Sequence, residues 1–469
     1  MNKKVSLNKY IFVGMPSDNI KNWINSKVIK FNYNDFDLLL SDIKNNEIGK
    51  NSVTEDSLLY ISYTSNRKFI YLNNNHIIDK TIDINGLKNI EINLNSKKVL
   101  GNTTLFNISN CEDITIKKLN IDITSDSQNN LINVSDSIYT QFNEGKINFV
   151  TDGNEDKNNP ICIFNISNSN ILISNFSELK IQDKTQTKSV ATIKADINSN
   201  INIMSSILYA ISKSSFSYGI YSLGKLNISD SKIIADSDHT ANAAGNDYGT
   251  TSRGIYSENE LYIKNSYVYG THSGITVKGE KLYVDGGTYE SYSHGGIYIC
   301  KGINQIYNAI LKECPLNEGY IDDGRAGTNH AGLYIGGGSN INTYIDNCVI
   351  KGEIQPIVVK DGSSEINNNL YISNSKINLD CIEKYTPIIG NYNEMSNIIV
   401  GIYGGGIRNY NSKNTIHFGE NCGVANIKDI KNDTSNNLLP IRPNYLRVGS
   451  KTKTMNDYSF EVTNEKYIT

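Results

Sequence analysis

A four-residue unit centred on glycine recurs through the middle of the chain, and it limits what the chain can fold into. Its copies are YGIY at 218–221, RGIY at 253–256, SGIT at 273–276, GGIY at 295–298 and AGLY at 331–334. Gly254, Gly274 and Gly296 are 20 and 22 residues apart. The intervals from Gly219 to Gly254 and from Gly296 to Gly332 are 35 and 36 residues. Each longer interval therefore holds an insertion of roughly 14 residues in a repeat of about 20.

A second element follows each glycine unit. It reads LNISDSKI at 226–233, LYIKNSYV at 261–268, LYVDGGTY at 282–289 and LYISNSKI at 370–377. Apolar residues alternate with polar ones, which predicts short strands with one face inward. Asp230, Asn265, Gly286 and Asn374 interrupt the alternation, and such residues tolerate the left-handed backbone of a sharp corner. Short strands and corners in a repeat of about 20 residues predict an all-β parallel β-helix.

Stacked coils bring equivalent residues about 4.8 Å apart in columns. One column points inward and comprises Ile220, Ile255, Ile275, Ile297 and Leu333. The next position points outward and comprises Tyr221, Tyr256, Thr276, Tyr298 and Tyr334. The position two residues before each glycine carries Ser217, Ser252, His272, His294 and His330. The insertions 236–252 and 316–330 precede the same strand, so we expect a groove with these insertions as walls and the His272 and His294 coils as its floor.

Composition excludes several classes of protein. A net charge of −3 and a pI near 6.1 argue against a nucleic-acid-binding protein. No apolar run is long enough to span a membrane. The N-terminus carries positive charge but lacks the apolar core of a signal peptide, so the sequence predicts that either the protein is not exported by the usual route or its signal is missing. The seven cysteines form no CxxC pair, so neither a zinc site nor a disulfide framework is expected, and Cys300, Cys314 and Cys348 are interpreted as apolar fillers. No cofactor is expected.

The N-terminal region contains one convincing helix. Phe36, Leu39, Leu40 and Ile43 fall on one helical face, and Asn34 or Asp35 is placed to cap it. Such a helix would cover the open end of a solenoid. We therefore expect an N-terminal segment with a capping helix at 1–54, the parallel β-helix at 55–410, and a C-terminal cap or attachment segment at 411–469.

The repeats, together with the helix near Asp35, the FIYL run at 69–72 and the TIDI run at 81–84, resemble the right-handed parallel β-helix, or pectate-lyase-like, superfamily. Its members include polysaccharide lyases and hydrolases, autotransporter passengers and bacteriophage tail spikes. The resemblance implies a right-handed solenoid and, for the spike members, assembly inside the host cell as a homotrimer with other virion subunits. No lyase motif transfers residue by residue; Asp322-Asp323-Gly324-Arg325 is the nearest approach.

Aromatic and titratable side chains of the repeat are the candidate site residues. Tyr256, Tyr298 and Tyr334 offer flat apolar rings that suit sugars, although tyrosine also favours strands for structural reasons. His272, His294 and His330 are candidate ligand anchors or acid–base groups. The alternative is that they form a stack of identical surface residues, which is common in solenoids, without a role in binding or catalysis. A shared metal ion would need their rings to converge, and we expect no metal site.

Acidic and basic residues near the predicted groove complete the set. Glu290, Asp322 and Asp323 are candidate catalytic carboxylates, because one coil step matches the separation that glycosidases use; Asp247 and Glu258 lie nearby. Arg253 and Arg325 are candidates to hold a carboxylate or sulfate, with surface ion pairing as the alternative.

Three functions follow from these candidates. The first is a bacteriophage tail-spike or receptor-binding protein that binds host cell-surface carbohydrate. The second is a polysaccharide lyase or hydrolase working in the same groove, which requires a carboxylate within reach of a histidine or a second carboxyl group. The third is a purely architectural virion or surface protein. A virion location is expected, with secretion or the cell surface as the alternative.

Overall fold

The computed structural model describes residues 30–378 with gaps, and six short strands beyond them. The gaps are 54–58, 64–66, 73–75, 78–79, 96–97, 101–103, 127, 186, 213–215, 238–251, 293, 314–330, 337, 339, 352–356 and 360–367. The later strands are Ile407–Asn409, Thr415–Phe418, Gly423–Val424, Leu446–Val448, Lys451–Lys453 and Phe460–Val462.

The chain forms an all-β parallel solenoid with three faces. We call the first the glycine face, because the glycine units lie on it; it is a 14-stranded sheet. Its strands are Ile82–Asn85, Phe106–Ser109, Ile132–Ser135, Ile161–Ser167, Val190–Ala195, Ser217–Ser222, Arg253–Ser257, Ser273–Val277, Gly295–Ile299, Leu333–Ile335, Ile357–Val359, Ile407–Asn409, Leu446–Val448 and Lys451–Lys453. All neighbours pair in parallel except the last two strands, which are antiparallel.

The second and third faces belong to one 26-stranded sheet. Strands of the second face are Lys68–Leu72, Lys88–Asn93, Asn200–Met204, Lys225–Ser229, Leu261–Lys264, Lys281–Asp285, Ile303–Tyr307, Asn342–Asp346, Asn369–Ser373, Thr415–Phe418 and Phe460–Val462. Strands of the third face are His76–Ile77, Lys98–Leu100, Ile207–Ile211, Lys232–Asp236, Tyr267–Gly270, Thr288–Ser291, Ile310–Glu313, Val349–Lys351, Lys376–Asn378 and Gly423–Val424. Three long strands bend from the second face to the third: Glu112–Thr124, Ile138–Thr151 and Asn170–Asp183.

The corners between the second and third faces have the backbone that the sequence predicts. Asp230, Asn265 and Asn374 have φ of 49°, 46° and 48°, and Gly286 has φ of 77°. This left-handed conformation is favourable for glycine and accessible to asparagine and aspartate. The interruptions in the second element are therefore the corners of the coil.

Serine side chains satisfy backbone groups just after these corners. The Ser231 hydroxyl donates to the carbonyl of Ser229 at 2.7 Å and accepts from the N–H of Ser206 in the preceding coil at 3.2 Å. The N–H of Ser231 in turn donates to the hydroxyl of Ser266 at 3.2 Å. This ladder provides partners for buried N–H groups that the turn removes from the sheet.

The repeated glycines allow the glycine face and the third face to pack closely at their shared corner. A Cβ on Gly254 would lie 2.4 Å from Cγ1 of Val268 and 2.6 Å from the carbonyl oxygen of Gly274. Beside this column, Ile220, Ile255, Ile275, Ile297 and Leu333 are fully buried, as predicted. Cys348 is also buried in the core, whereas Cys300 is partly exposed and Cys314 lies outside the described residues.

The predicted helix covers the first coils. It spans Phe36–Lys44, is capped by Asp35, and buries Phe36, Leu39, Leu40 and Ile43. Lys30–Tyr33 pairs antiparallel with Leu59–Tyr63, which pairs antiparallel with Lys68–Leu72 at the start of the parallel stack. In the described part of the chain, no helix has the length and apolarity needed to cross a bilayer.

Parallel pairing continues past residue 410. Thr415–Phe418 pairs with Asn369–Ser373 and with Phe460–Val462, and Ile407–Asn409 pairs with Leu446–Val448. The stack of coils therefore extends into the region where the sequence pattern becomes weak.

Candidate functional site

The tyrosines of the glycine unit lie outside the core but are mostly covered. Tyr256 and Tyr334 are 8 % and 4 % exposed, whereas Tyr298 is partly exposed. Tyr221 and Tyr256 stack with ring centroids 5.0 Å apart and planes 6° apart. Tyr298 and Tyr334 meet edge to face at 4.7 Å. The outward direction is as predicted, but only Tyr298 offers appreciable exposed area to a sugar.

Burial of these rings changes their ionisation. Desolvation raises the pKa of Tyr218 to about 12. The pKa of Tyr256 is also raised, first by burial and then by the hydrogen bond that its hydroxyl donates to Glu258. Burial raises the pKa of Tyr298 as well. These hydroxyls therefore stay protonated at neutral pH, and that of Tyr256 already donates to Glu258.

Two histidines of the predicted column lie together. The rings of His272 and His294 have centroids 4.0 Å apart and planes 13° apart. His272 is buried and its Nδ1 lies 3.3 Å from the Ser273 hydroxyl, whereas His294 is partly exposed. The Tyr298 ring centroid lies 6.5 Å from that of His294. The structure thus places His294 and Tyr298 side by side at the accessible edge of this cluster.

The orientation of the histidine rings does not suit a shared metal ion. Ring nitrogens bind a metal in the plane of the imidazole, and two nearly parallel planes point their lone pairs side by side instead of toward one centre. Among the described residues, no group of three or more His, Cys, Asp and Glu side chains is arranged to hold a metal ion.

Glu290 lies on the third face, in the strand Thr288–Ser291. It is 7 % exposed. Its Oε2 accepts a hydrogen bond from the Tyr267 hydroxyl at 3.1 Å and forms an ion pair with Lys312 at 2.9 Å. Both partners belong to neighbouring coils of the third face, so the carboxylate is held within that face by its contacts.

Arg253 belongs to an alternating array of cations and rings, which we call the cation–π ladder. Its guanidinium carbon lies 5.6 Å from the Phe216 ring centre and 5.8 Å from that of Tyr256. Lys157 Nζ lies 5.1 Å from the Phe216 ring centre, and Lys278 Nζ lies 5.3 Å from that of Tyr256. The order is therefore Lys157, Phe216, Arg253, Tyr256 and Lys278.

Several predicted site residues lie outside the described residues. They are His330, Asp322, Asp323, Arg325 and Asp247. Most of the two predicted walls, 236–252 and 316–330, falls in the same gaps. Their roles remain predictions.

A second set of tyrosines, not among the candidates from sequence, lies on the second face. Tyr262, Tyr283, Tyr344 and Tyr371 share one register position, with Gln305 between the second and third of them. We call these four residues the tyrosine column. All four rings are partly exposed. The sequence signal was the Leu-Tyr-Ile or Leu-Tyr-Val triplet, which recurs at 261–263, 282–284 and 370–372.

The rings of this column are arranged in two groups. The ring centroids of Tyr262 and Tyr283 lie 6.2 Å apart with planes tilted by 35°. Tyr307 lies in the next strand, two residues beyond Gln305, and its ring centroid is 5.4 Å from that of Tyr283 with planes at 48°. Tyr344 and Tyr371 stack at 4.6 Å with planes 5° apart. The tilted group leaves ring faces only partly covered by neighbouring rings, whereas the stacked pair presents ring edges and hydroxyls.

Charges around the tyrosine column are paired. Lys225 and Lys281 each place Nζ 5.1 Å from the Tyr262 ring centre. Lys225 also forms an ion pair with Glu260 at 3.1 Å, and this bond lowers the pKa of the carboxyl group. Lys264 pairs with Asp285 at 3.8 Å. This surface therefore combines exposed rings with balanced charge.

A polar groove of about 460 Å³ lies on the third face, along the three long strands. Lys146 pairs with Glu178 at 2.6 Å across it, and Asn148 donates to Asp122 at 3.0 Å. These bonds join neighbouring coils, and the groove contains none of the residues predicted from sequence.

Comparisons with known proteins did not identify a relative. No family model, no curated protein and no solved structure matched the chain. Arguments about function therefore rest on the geometry of the glycine face and of the second face.

Proposed function

We propose that the protein is a structural component of a bacteriophage virion, of the tail-spike or baseplate receptor-binding type, and that it binds host cell-surface carbohydrate through the tyrosine column. The observation that carries the binding function is the shared register of four partly exposed tyrosines. Tyrosine combines an apolar ring with a polar hydroxyl, which matches the apolar and hydroxyl-bearing surfaces of sugars. Coils about 4.8 Å apart repeat these rings along an extended chain.

The tyrosine column is a better candidate than the tyrosines of the glycine unit because its rings are accessible. Tyr256 and Tyr334 would have to be uncovered before a sugar could reach them. The resemblance to tail spikes supports the virion location and a homotrimer with other virion subunits as partners. The polysaccharide lyase or hydrolase and the architectural protein remain the alternatives.

Retention on bacterial envelope polysaccharides tests the proposal. The protein is run through gels containing each polysaccharide, and reducing ends and unsaturated products are assayed in parallel. Retention without product supports a binding protein, whereas product release supports the enzyme. Absence of both across the panel contradicts the proposed binding and favours the architectural protein.

Paired variants locate the binding face. The double variant Tyr283→Ala with Tyr344→Ala is expected to bind the polysaccharide about tenfold more weakly, because two ring contacts are lost. A tenfold change in affinity corresponds to about 1.4 kcal/mol of binding free energy. Tyr209→Ala is the matched control, since Tyr209 is a partly exposed tyrosine on the third-face strand Ile207–Ile211. Equal loss in both variants would contradict binding by the second face.

A further inference from the structure

We propose that the cation–π ladder on the glycine face is a second binding strip, independent of the tyrosine column, that takes the phosphate, sulfate or carboxylate groups of an extended polyanion. Lys157, Arg253 and Lys278 come from three separate parts of the chain. The coil brings them into one array, with Phe216 between the first two cations and Tyr256 between the last two.

The rings hold the cations in place. A lysine or arginine side chain loses much conformational freedom when it binds a ligand, and a partner that restrains it beforehand reduces that loss. Each cation of the ladder lies within 6 Å of a ring centre, the range in which the ring quadrupole attracts positive charge. Arg253 is further held by a hydrogen bond to Tyr218.

The three cations of the ladder outnumber the carboxylates that the described residues place beside it. These carboxylates are Glu258, which accepts a hydrogen bond from Tyr256, and Asp156, whose charge acts on Tyr218 and Tyr221. Within the part of the chain that the structure describes, neither Lys157 nor Lys278 takes part in an ion pair. Both lysines are exposed, so their ammonium groups can reach a ligand in solvent.

The spacing favours a polymer over a small anion. An aromatic ring separates each cation of the ladder from the next, so one phosphate or carboxylate cannot contact all three. A chain with an anionic group on successive units can contact them one after another. Charged contacts of this kind are screened by salt, so binding is expected to weaken as ionic strength rises.

Binding of four probes tests the inference. Long-chain inorganic polyphosphate, heparin and polygalacturonate supply phosphate, sulfate and carboxylate, and dextran is the uncharged control. At low salt the protein is expected to bind at least one of the polyanions and to bind it at least tenfold more tightly than dextran. The probe that binds best identifies the anionic group. Failure to bind any of the three would overturn the inference.

Two double variants with equal charge loss test the location. Lys157→Gln with Lys278→Gln is expected to weaken polyanion binding about tenfold and to reduce its salt dependence. Lys264→Gln with Lys146→Gln is the control, because these exposed lysines pair with Asp285 on the second face and Glu178 on the third face. Equal weakening in both would show general charge attraction and overturn the inference.

The Tyr283→Ala and Tyr344→Ala double variant separates this strip from the proposed carbohydrate site. It is expected to leave polyanion binding unchanged, so that evidence against one proposed site does not count against the other. Loss of polyanion binding in that variant would contradict two independent sites. A thermal melt of each variant establishes that it is folded.

Discussion

The imidazole rings of His272 and His294 lie face to face, with centroids 4.0 Å apart and planes inclined by 13°. The two residues occupy the same position in successive coils, and the N–H of His294 donates to the carbonyl of His272 at 2.7 Å. Parallel register therefore determines the stacking: side chains at one repeat position leave the sheet in the same direction. Nearly parallel ring planes do not direct two lone pairs toward one ion.

This geometry predicts that the histidine pair does not bind zinc. The midpoint of thermal unfolding is expected to shift equally on addition of Zn²⁺ in the wild type and in the His294→Ala variant, because the pair supplies no convergent ligands. Differential scanning fluorimetry over a zinc titration provides the measurement. A zinc-dependent rise that disappears in the variant would show that the rings rearrange to bind the ion.

Substituting alanine for Gly296 is expected to reduce the free energy of unfolding by about 1–3 kcal/mol or more, because the added methyl group is forced against backbone. Its Cβ would lie 2.4 Å from the carbonyl oxygen of Tyr289 and 2.9 Å from that of Gly332. Gly295→Ala is the matched control, since its nearest atom would be 3.1 Å away. Urea denaturation compares the two, and equal stabilities would show that the coils can separate at this corner.

Removing one hydroxyl of the serine ladder should leave a buried donor without an acceptor. Ser231→Ala removes the oxygen that accepts from the N–H of Ser206, and a loss of about 1–3 kcal/mol in the free energy of unfolding is expected. Ser229→Ala is the control, because Ser229 takes part in this ladder through its backbone carbonyl, which the substitution keeps. Ser229 is also partly exposed. A negligible effect of Ser231→Ala would mean that water or a neighbouring group replaces the hydroxyl.

Stability should fall in alkaline solution because of buried thiols. Burial raises the pKa of Cys162 and of Cys348 from the ordinary 9.0 to about 12. Between these values the unfolded chain has lost thiol protons that the folded chain keeps, so the free energy of unfolding decreases as pH rises, by about 1.4 kcal/mol per pH unit for each group. The contribution is complete below pH 9.0 and is lost as pH approaches 12.

Denaturation of the wild type and of Cys348→Ala at several pH values between 8 and 11 checks this effect. The variant is expected to show a shallower decrease with pH, whatever its stability at neutral pH. Parallel curves would indicate that Cys348 becomes accessible to solvent before the chain unfolds.

The sequence determined the coil itself. The glycine repeat, the alternating strands and the Asp230, Asn265 and Gly286 corners are local patterns, and each imposes its geometry through steric limits on a few neighbouring residues. The helix Phe36–Lys44 could also be predicted from the sequence, because its apolar face and its Asp35 cap are properties of consecutive residues.

Tertiary structure decided which surfaces are accessible and which charges meet. The outward direction of Tyr256 follows from strand alternation, but its burial depends on neighbouring rings such as Tyr221. The approach of Lys157 to Phe216 joins residues that only the register of coils with unequal insertions brings together. Glu290 and Lys312 are direct partners in neighbouring coils, and their ion pair depends on how the two side chains meet on the third face. Strand period determines on which side a residue lies, whereas coverage depends on every side chain that shares that side.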